Sequence, residues 1–178
     1  MKLIVISYSL TGNNEALATS IAHEFGAEHI KISESKTRTM ATIILDILFN
    51  RTPKVNPKPV NVEDNDLVIF VGPVWMGYVA TPLRAYFKQL KAGHAEYAFV
   101  SISGGADGPN PKLAGELKKR LGKEPVALVD LHIADLLPPA PKPNRKDTMA
   151  YRLNDRDVKN LADTVVKALR KTMAKQVV

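Results

Sequence analysis

Cysteine is absent from this chain of 178 residues, which excludes disulfides, thiolate metal sites and cysteine nucleophiles and leaves any redox chemistry to a bound group. Long apolar runs are absent as well. The N-terminal run Leu3-Ile4-Val5-Ile6 is too short for the core of a signal peptide, and nothing approaches the roughly 18 apolar residues of a membrane span. A soluble, cytoplasmic protein with no transmembrane segment is expected. Acidic residues are in deficit: 18 Asp and Glu against 25 Lys and Arg leave a net charge of +7. The surplus sits in two places. Lys31, Lys36, Arg38, Arg51, Lys54 and Lys58 face only Glu34 and Asp46, and residues 142–175 are similarly basic. These cations are not interleaved with aromatic rings as in single-strand binders, so the reading is solvated surface charge and nucleic acid is disfavoured.

Several motifs are also missing. No Gly-Lys-Ser/Thr ends a Walker loop, and no three glycines stand in the G-x-G-x-x-G spacing of a dinucleotide fold. Ser7 and Ser9 lack a nucleophile-elbow context. His23, His29, His94 and His132 have no metal-ligand spacing, so no metal is expected. A phospho-receiver domain needs clustered acids after its first and third strands, where this chain has Ser7-Tyr8-Ser9 and Gly72-Pro73.

What remains is a regular alternation. Apolar, β-branched runs at residues 3–7, 29–32, 67–71, 97–102 and 126–131 alternate with helical patterns at 14–25, 82–90, 111–121 and 155–173. Five strands alternating with helices make one domain with a parallel sheet covered on both faces. Two stretches break the rhythm. Residues 33–65 hold an apolar helix over Thr39–Phe49, with Asp46 its only charge, then a basic, proline-rich run. Such a helix needs cover: its own sheet first, with Ile43, Ile44, Ile47 and Leu48 packed inward, or else a partner in a homodimer or a peripheral membrane contact. The second stretch, residues 132–154, carries Pro138, Pro139, Pro141 and Pro143 and reads as an extended surface loop.

In an open parallel sheet, ligands bind beyond the C-terminal strand ends where strand order reverses, so the loops after strands one, three and four should converge. The first is Ser9-Leu10-Thr11-Gly12-Asn13-Asn14, between a buried strand and a helix. A helix start leaves backbone N–H groups without partners and carries the positive end of the dipole, both of which favour an anion. Ser9, Thr11 and Asn14 add side-chain donors, and Gly12 allows a close approach or a positive φ. An ordinary helix cap is the alternative, since the same residue types cap helices. With no Lys or Arg between Lys2 and Lys31, neutral donors alone would suit an enclosed monophosphate. The second loop is Gly72-Pro73-Val74-Trp75-Met76-Gly77-Tyr78, with the chain's single Trp, and the third is Ser103-Gly104-Gly105-Ala106-Asp107-Gly108.

Together these three loops resemble flavodoxin and the related FMN-dependent oxidoreductases. The first is similar to the family's Ser/Thr-x-Thr-Gly-x-Thr motif with Asn14 in place of the last Thr, and Gly72-Pro73-Val74-Trp75 resembles its second flavin loop. The resemblance covers nearly the whole chain. It implies an α/β, doubly wound, five-stranded parallel sheet in the order 2-1-3-4-5, with helices on both faces and non-covalent FMN. It further implies that Ser9 to Asn14 hold the FMN phosphate, Pro73 to Tyr78 line one side of the isoalloxazine, and Ser103 to Ala106 give backbone bonds to its pyrimidine edge. Electron-carrier flavodoxins usually have an aromatic ring in the loop after strand four and an acidic surface. This chain has neither, which points to an oxidoreductase passing electrons from NAD(P)H to a quinone-like acceptor. A carrier that docks on partner proteins is the alternative, and an interaction module without flavin is a third reading.

Overall fold

The computed structural model describes residues 1–62 and 64–176. In chain order the strands are β1 (Leu3–Tyr8), β2 (Glu28–Ile32), β3 (Leu67–Val71), the two-residue β4 (Val74–Trp75) and β5 (Tyr78–Val79), β6 (Glu96–Ser103) and β7 (Ala127–His132). The helices are α1 (Asn13–Phe25), α2 (Met40–Leu48), α3 (Arg84–Ala92), α4 (Leu113–Leu121), α5 (Arg145–Ala150) and α6 (Asp155–Gln176).

Five strands form one parallel sheet in the order β2-β1-β3-β6-β7, while β4 and β5 pair with each other as a hairpin. With the hairpin set aside, this is the expected 2-1-3-4-5 order. β3 is buried at every position, as its uninterrupted Leu67-Val68-Ile69-Phe70-Val71 run requires of a central parallel strand. The pleat divides the side chains between two cores. Ile4, Ile6, Phe70 and Phe99 face α3 and α4, where they meet Tyr86, Phe87, Leu90 and Leu117. Val5, Ile69, Val100 and Ile102 face α1 and α6, where they meet Leu17, Ile21, Val165 and Leu169. Phe70 is fully buried, edge-on to Phe87 at 4.9 Å and to Tyr97 at 6.5 Å. Truncating such a ring costs about 3–5 kcal/mol, so these strands are the stable frame on which the loops are mounted.

The insertion behaves differently from the frame. Thr39 and Thr42 cap α2 reciprocally, Thr39 N–H donating to Thr42 Oγ1 at 2.9 Å. The expectation that its apolar residues pack on the sheet fails: Ile43 alone is buried, while Ile44, Leu45, Leu48 and Phe49 are exposed. Polar contacts dock it instead. The Arg38 side chain, 4% exposed, pairs with Glu34 and, at 2.8 Å, with Asp46 of α2. Asp46 also accepts from the Thr81 hydroxyl at 3.3 Å. The reason is geometric: helix α3 already covers this face of the sheet, leaving α2 only its rim.

Residues 132–154 are not extended throughout. Ile133–Leu136 form a 3-10 turn, and Asn144 caps α5 through the N–H groups of Lys146 and Asp147 while Asp147 accepts from the Asn144 N–H. No helix among the described residues is long and apolar enough to cross a membrane.

Candidate functional site

All parallel strands end on the same edge, and the chain reverses direction across the sheet between β1 and β3, so the loops after β1, β3 and β6 meet there. At the first loop, Gly12 takes φ 90° and starts α1 without any side-chain cap. The earliest helical bond runs from Ala16 N–H to Gly12 O, so the N–H groups ahead of it point out of the helix. Ser9 Oγ is buried and has no hydrogen-bond partner among the described residues. Glu15, whose carboxylate would oppose an anion here, is paired with Lys31 at 3.0 Å.

The two asparagines are used otherwise than their residue types suggest. Asn14, 2% exposed, donates to Ile102 O at 2.8 Å and accepts from Ile102 N–H at 3.0 Å, tying the start of α1 to the end of β6. Asn13 donates to Tyr151 O at 3.0 Å and accepts from Leu153 N–H at 3.1 Å. The expected side-chain donor at Asn14 is therefore committed to the fold, and what the loop offers is backbone N–H with the Ser9 and Thr11 hydroxyls.

The second loop folds into the β4–β5 hairpin, turned by Met76 at φ 52° and Gly77 at φ 80°. A two-residue turn with both φ positive matches the twist of paired strands. Alternation along β4 then separates its side chains. Val74, Met76 and Gly77 line a cleft of about 420 Å³ together with Ser103, Gly104, Gly105 and Ala106 of the third loop. Trp75 points elsewhere: Tyr8 meets it edge-on at 5.9 Å and the Arg38 guanidinium lies 5.5 Å from its ring centre. Tyr78 lines a different cavity, and Pro73 lines neither. Burial, followed by the charge and hydrogen bond of Glu34, raises the Tyr8 phenol above its ordinary pKa, so it stays neutral and donates to Glu34 at 2.9 Å.

The third loop is held rigid from beneath. Asp130 on β7 accepts from the Ser101 hydroxyl at 2.6 Å and from the Asn110 side chain at 3.0 Å. Gly105, at φ 72°, has no room for a side chain, because a Cβ there would lie 2.4 Å from His132 Cβ. The backbone of this loop is thus fixed against the cleft.

A third wall lies outside the sequence-predicted set. Arg145, Thr148 and Met149 of α5 line the same cleft. Thr148 is buried over Gly104, where a Cβ would approach its Oγ1 to 2.9 Å, and Arg145 pairs with Asp107 at 2.8 Å. The signal was present in Asn144-Arg145-Lys146-Asp147, whose residues one and four are a cap and its reciprocal acceptor. No group of three or more His, Cys, Asp or Glu that could hold a metal occurs among the described residues.

No family model and no curated protein matches the chain. Solved structures do. A flavoprotein from Lactobacillus acidophilus NCFM, solved in complex with FMN, is 24% identical over 72% of this chain and 92% of that one, with a TM-score of 0.62. The apo form of the flavoprotein from Lactobacillus acidophilus NCFM gives 19% identity, 75% and 94% coverage and a TM-score of 0.58. A flavone reductase is 13% identical over 99% of this chain and 64% of that one, with a TM-score of 0.52. The strand order, the converging loops and these likenesses agree: the chain has the flavodoxin-like fold.

Proposed function

We propose that the chain binds FMN at the meeting point of the three loops and works as an oxidoreductase, passing electrons from NAD(P)H to a quinone-like acceptor. The observation that carries this reading is the open start of α1. It presents uncapped N–H groups and a buried Ser9 hydroxyl, without a partner among the described residues, beside the strand end that leads into the cleft. An anion there completes the helix end, and a monophosphate is the anion that neutral donors and the dipole hold without a lysine. The fit extends to the ring. The cleft between Val74, Met76 and Gly77 on one side and Ser103–Ala106 on the other has one wall of fixed backbone, where Gly105 excludes any side chain.

When bound, FMN supplies the redox chemistry, taking up and releasing electrons in ones or pairs. The chain's residues bind and orient. Ser9, Thr11 and the N–H groups of residues 12–14 hold the phosphate, the 103–106 backbone meets the ring edge, and α5 walls the cleft through Thr148 and Met149. Met76 and Met149, both exposed, give the cleft an apolar rim on which a flat acceptor can rest. The FMN bound by the Lactobacillus acidophilus flavoprotein and the activity named for the flavone reductase support this reading.

The test is the addition of FMN to purified protein. Quenched flavin fluorescence and a shifted absorption spectrum are expected, and the absence of both changes would end the reading. Steady NAD(P)H oxidation with a quinone is the second arm. The same apolar rim favours an alternative, docking by a partner protein, so inertness toward both nicotinamides in a flavin-loaded chain assigns it as a carrier.

A further inference from the structure

On the α3 and α4 side of the sheet lies a second cavity, of about 710 Å³. Its charge is one-sided. Arg84, Lys88 and Lys91 of α3 and Lys119 and Arg120 of α4 line it, against the single carboxylate of Glu116 among the described residues. Arg84 is only 3% exposed, yet its Nε and Nη2 atoms are buried with no hydrogen-bond partner among the described residues. Its Nη1 makes long bonds of 3.2 to 3.5 Å to the Arg51 and Asp46 carbonyls and to Asn50 Oδ1. Unmet donors on a buried cation are costly. Glu116 does not meet them: its Oε1 lies 3.9 Å from Arg84 Nη2 because it is held by Arg120 Nε. Burial, and then the like charge of Arg120, push Arg84 down to about 10, as befits a cation short of counter-charge.

We propose that this cavity is a binding site for a phosphate-bearing small molecule, taken by Arg84 and Arg120 with Lys88, Lys91 and Lys119 around it. A phosphoryl group offers the acceptors that the planar guanidinium fork fits in pairs. The exposed lysines attract the anion first. Because Arg84 Nε and Nη2 are shielded, the anion then displaces the Glu116 carboxylate that bridges toward Arg120 and takes over both guanidiniums. Tyr78, 41% exposed, lines the same cavity and supplies a flat wall for a nucleoside base. The shared chemistry is the phosphoryl anion, and its source is either a nucleotide or an inorganic polyphosphate. The site uses none of residues 9–14 and does not depend on FMN.

The experiment is calorimetric titration of the full chain, saturated with FMN or as purified if it takes none, with pyrophosphate and with ADP. Both probes are expected to bind. Arg84→Lys, which keeps the charge but loses the fork, should weaken them at least about tenfold. Glu116→Gln, which removes the competing carboxylate, should strengthen them several-fold. Lys167→Glu, on α6 across the sheet, should change nothing. The surface double variant Lys88→Glu/Lys119→Glu, with an unaltered melting profile, repeats the loss should Arg84→Lys fail to fold. ADP binding tighter than pyrophosphate, with the gain lost in Tyr78→Ala, assigns a nucleotide; equal affinities assign inorganic polyphosphate. The site is overturned by the absence of heat with either probe at low salt, by equal weakening in Lys167→Glu, or by binding indifferent to Arg84→Lys and Glu116→Gln. Pyrophosphate binding lost in Thr11→Val but kept in Arg84→Lys puts the anion at α1 and overturns it too.

Discussion

Helices α1 and α2 both follow hydroxyl-bearing turns, with Ser9 and Thr11 ahead of α1 and Ser35, Thr37 and Thr39 ahead of α2, and they close their ends in opposite ways. At α2, Thr39 and Thr42 exchange bonds, so the helix end is complete in itself. At α1, Asn13 and Asn14 send their side chains to Tyr151, Leu153 and Ile102, and the N–H groups of the end stay open. The first arrangement serves local stability. The second spends capping residues on holding two loops in place, and so leaves that helix end without a side-chain cap. Burial follows the same division: Asn13 and Asn14 are buried within the frame, whereas α2 rides on the rim with its apolar residues exposed.

The sharpest way to break this comparison is Asn14→Ala. It strips partners from both the N–H and the C=O of Ile102, each of which costs about 1–3 kcal/mol when buried and unpaired. Unfolding in urea without FMN should show a loss of about 3 kcal/mol. A loss under 1 kcal/mol would mean that Asn14 is not the clamp between α1 and β6.

Most of the frame was legible in the sequence, because continuous β-branched runs and capped amphipathic helices report on burial directly. The five strands follow from them, while their order came only with the resemblance of the three loops to the flavodoxin family; the meeting of those loops on one edge follows from the order. The site was legible at the level of loops and not of side chains. Nothing in Gly12-Asn13-Asn14 tells whether an Asn will cap its own helix or bond a strand 88 residues away, since the partner is set by tertiary packing. Trp75 was misplaced for a related reason: the hairpin turn at Met76 and Gly77 fixes which face of β4 meets the cleft, and the segment reads as plain loop. The exposed α2 was missed because apolar composition says that cover is wanted, not that α3 has already taken the sheet.

A smaller effect, of a different kind, is expected at the open end itself. Thr11→Val keeps shape and removes a hydroxyl, so FMN affinity should fall by about 2 kcal/mol, the usual range for a bond to a charged group. Stability without FMN should hardly move, because α1 makes no side-chain cap. Equal losses in affinity and in apo stability would show Thr11 to be structural and return the loop to an ordinary helix start.

The smallest effect belongs to the closed end. Thr39→Ala removes the hydroxyl that accepts from Thr42 N–H, worth about 1 kcal/mol to a helix. Little of that should reach global unfolding. α2 buries only Ile43, and its docking rests on Arg38 and Asp46 rather than on the cap, so the helix can fray while the sheet stays intact. The loss should therefore appear as faster amide exchange at Ile43 to Leu45, with FMN affinity unchanged within about twofold. Asp46 nevertheless links α2 to Thr81, and Arg38 links it to Trp75 in the second loop. If Thr39→Ala lowered FMN affinity as far as Thr11→Val does, the two helix starts would be coupled through that ion pair, and the division between a closed structural end and an open binding end would fail.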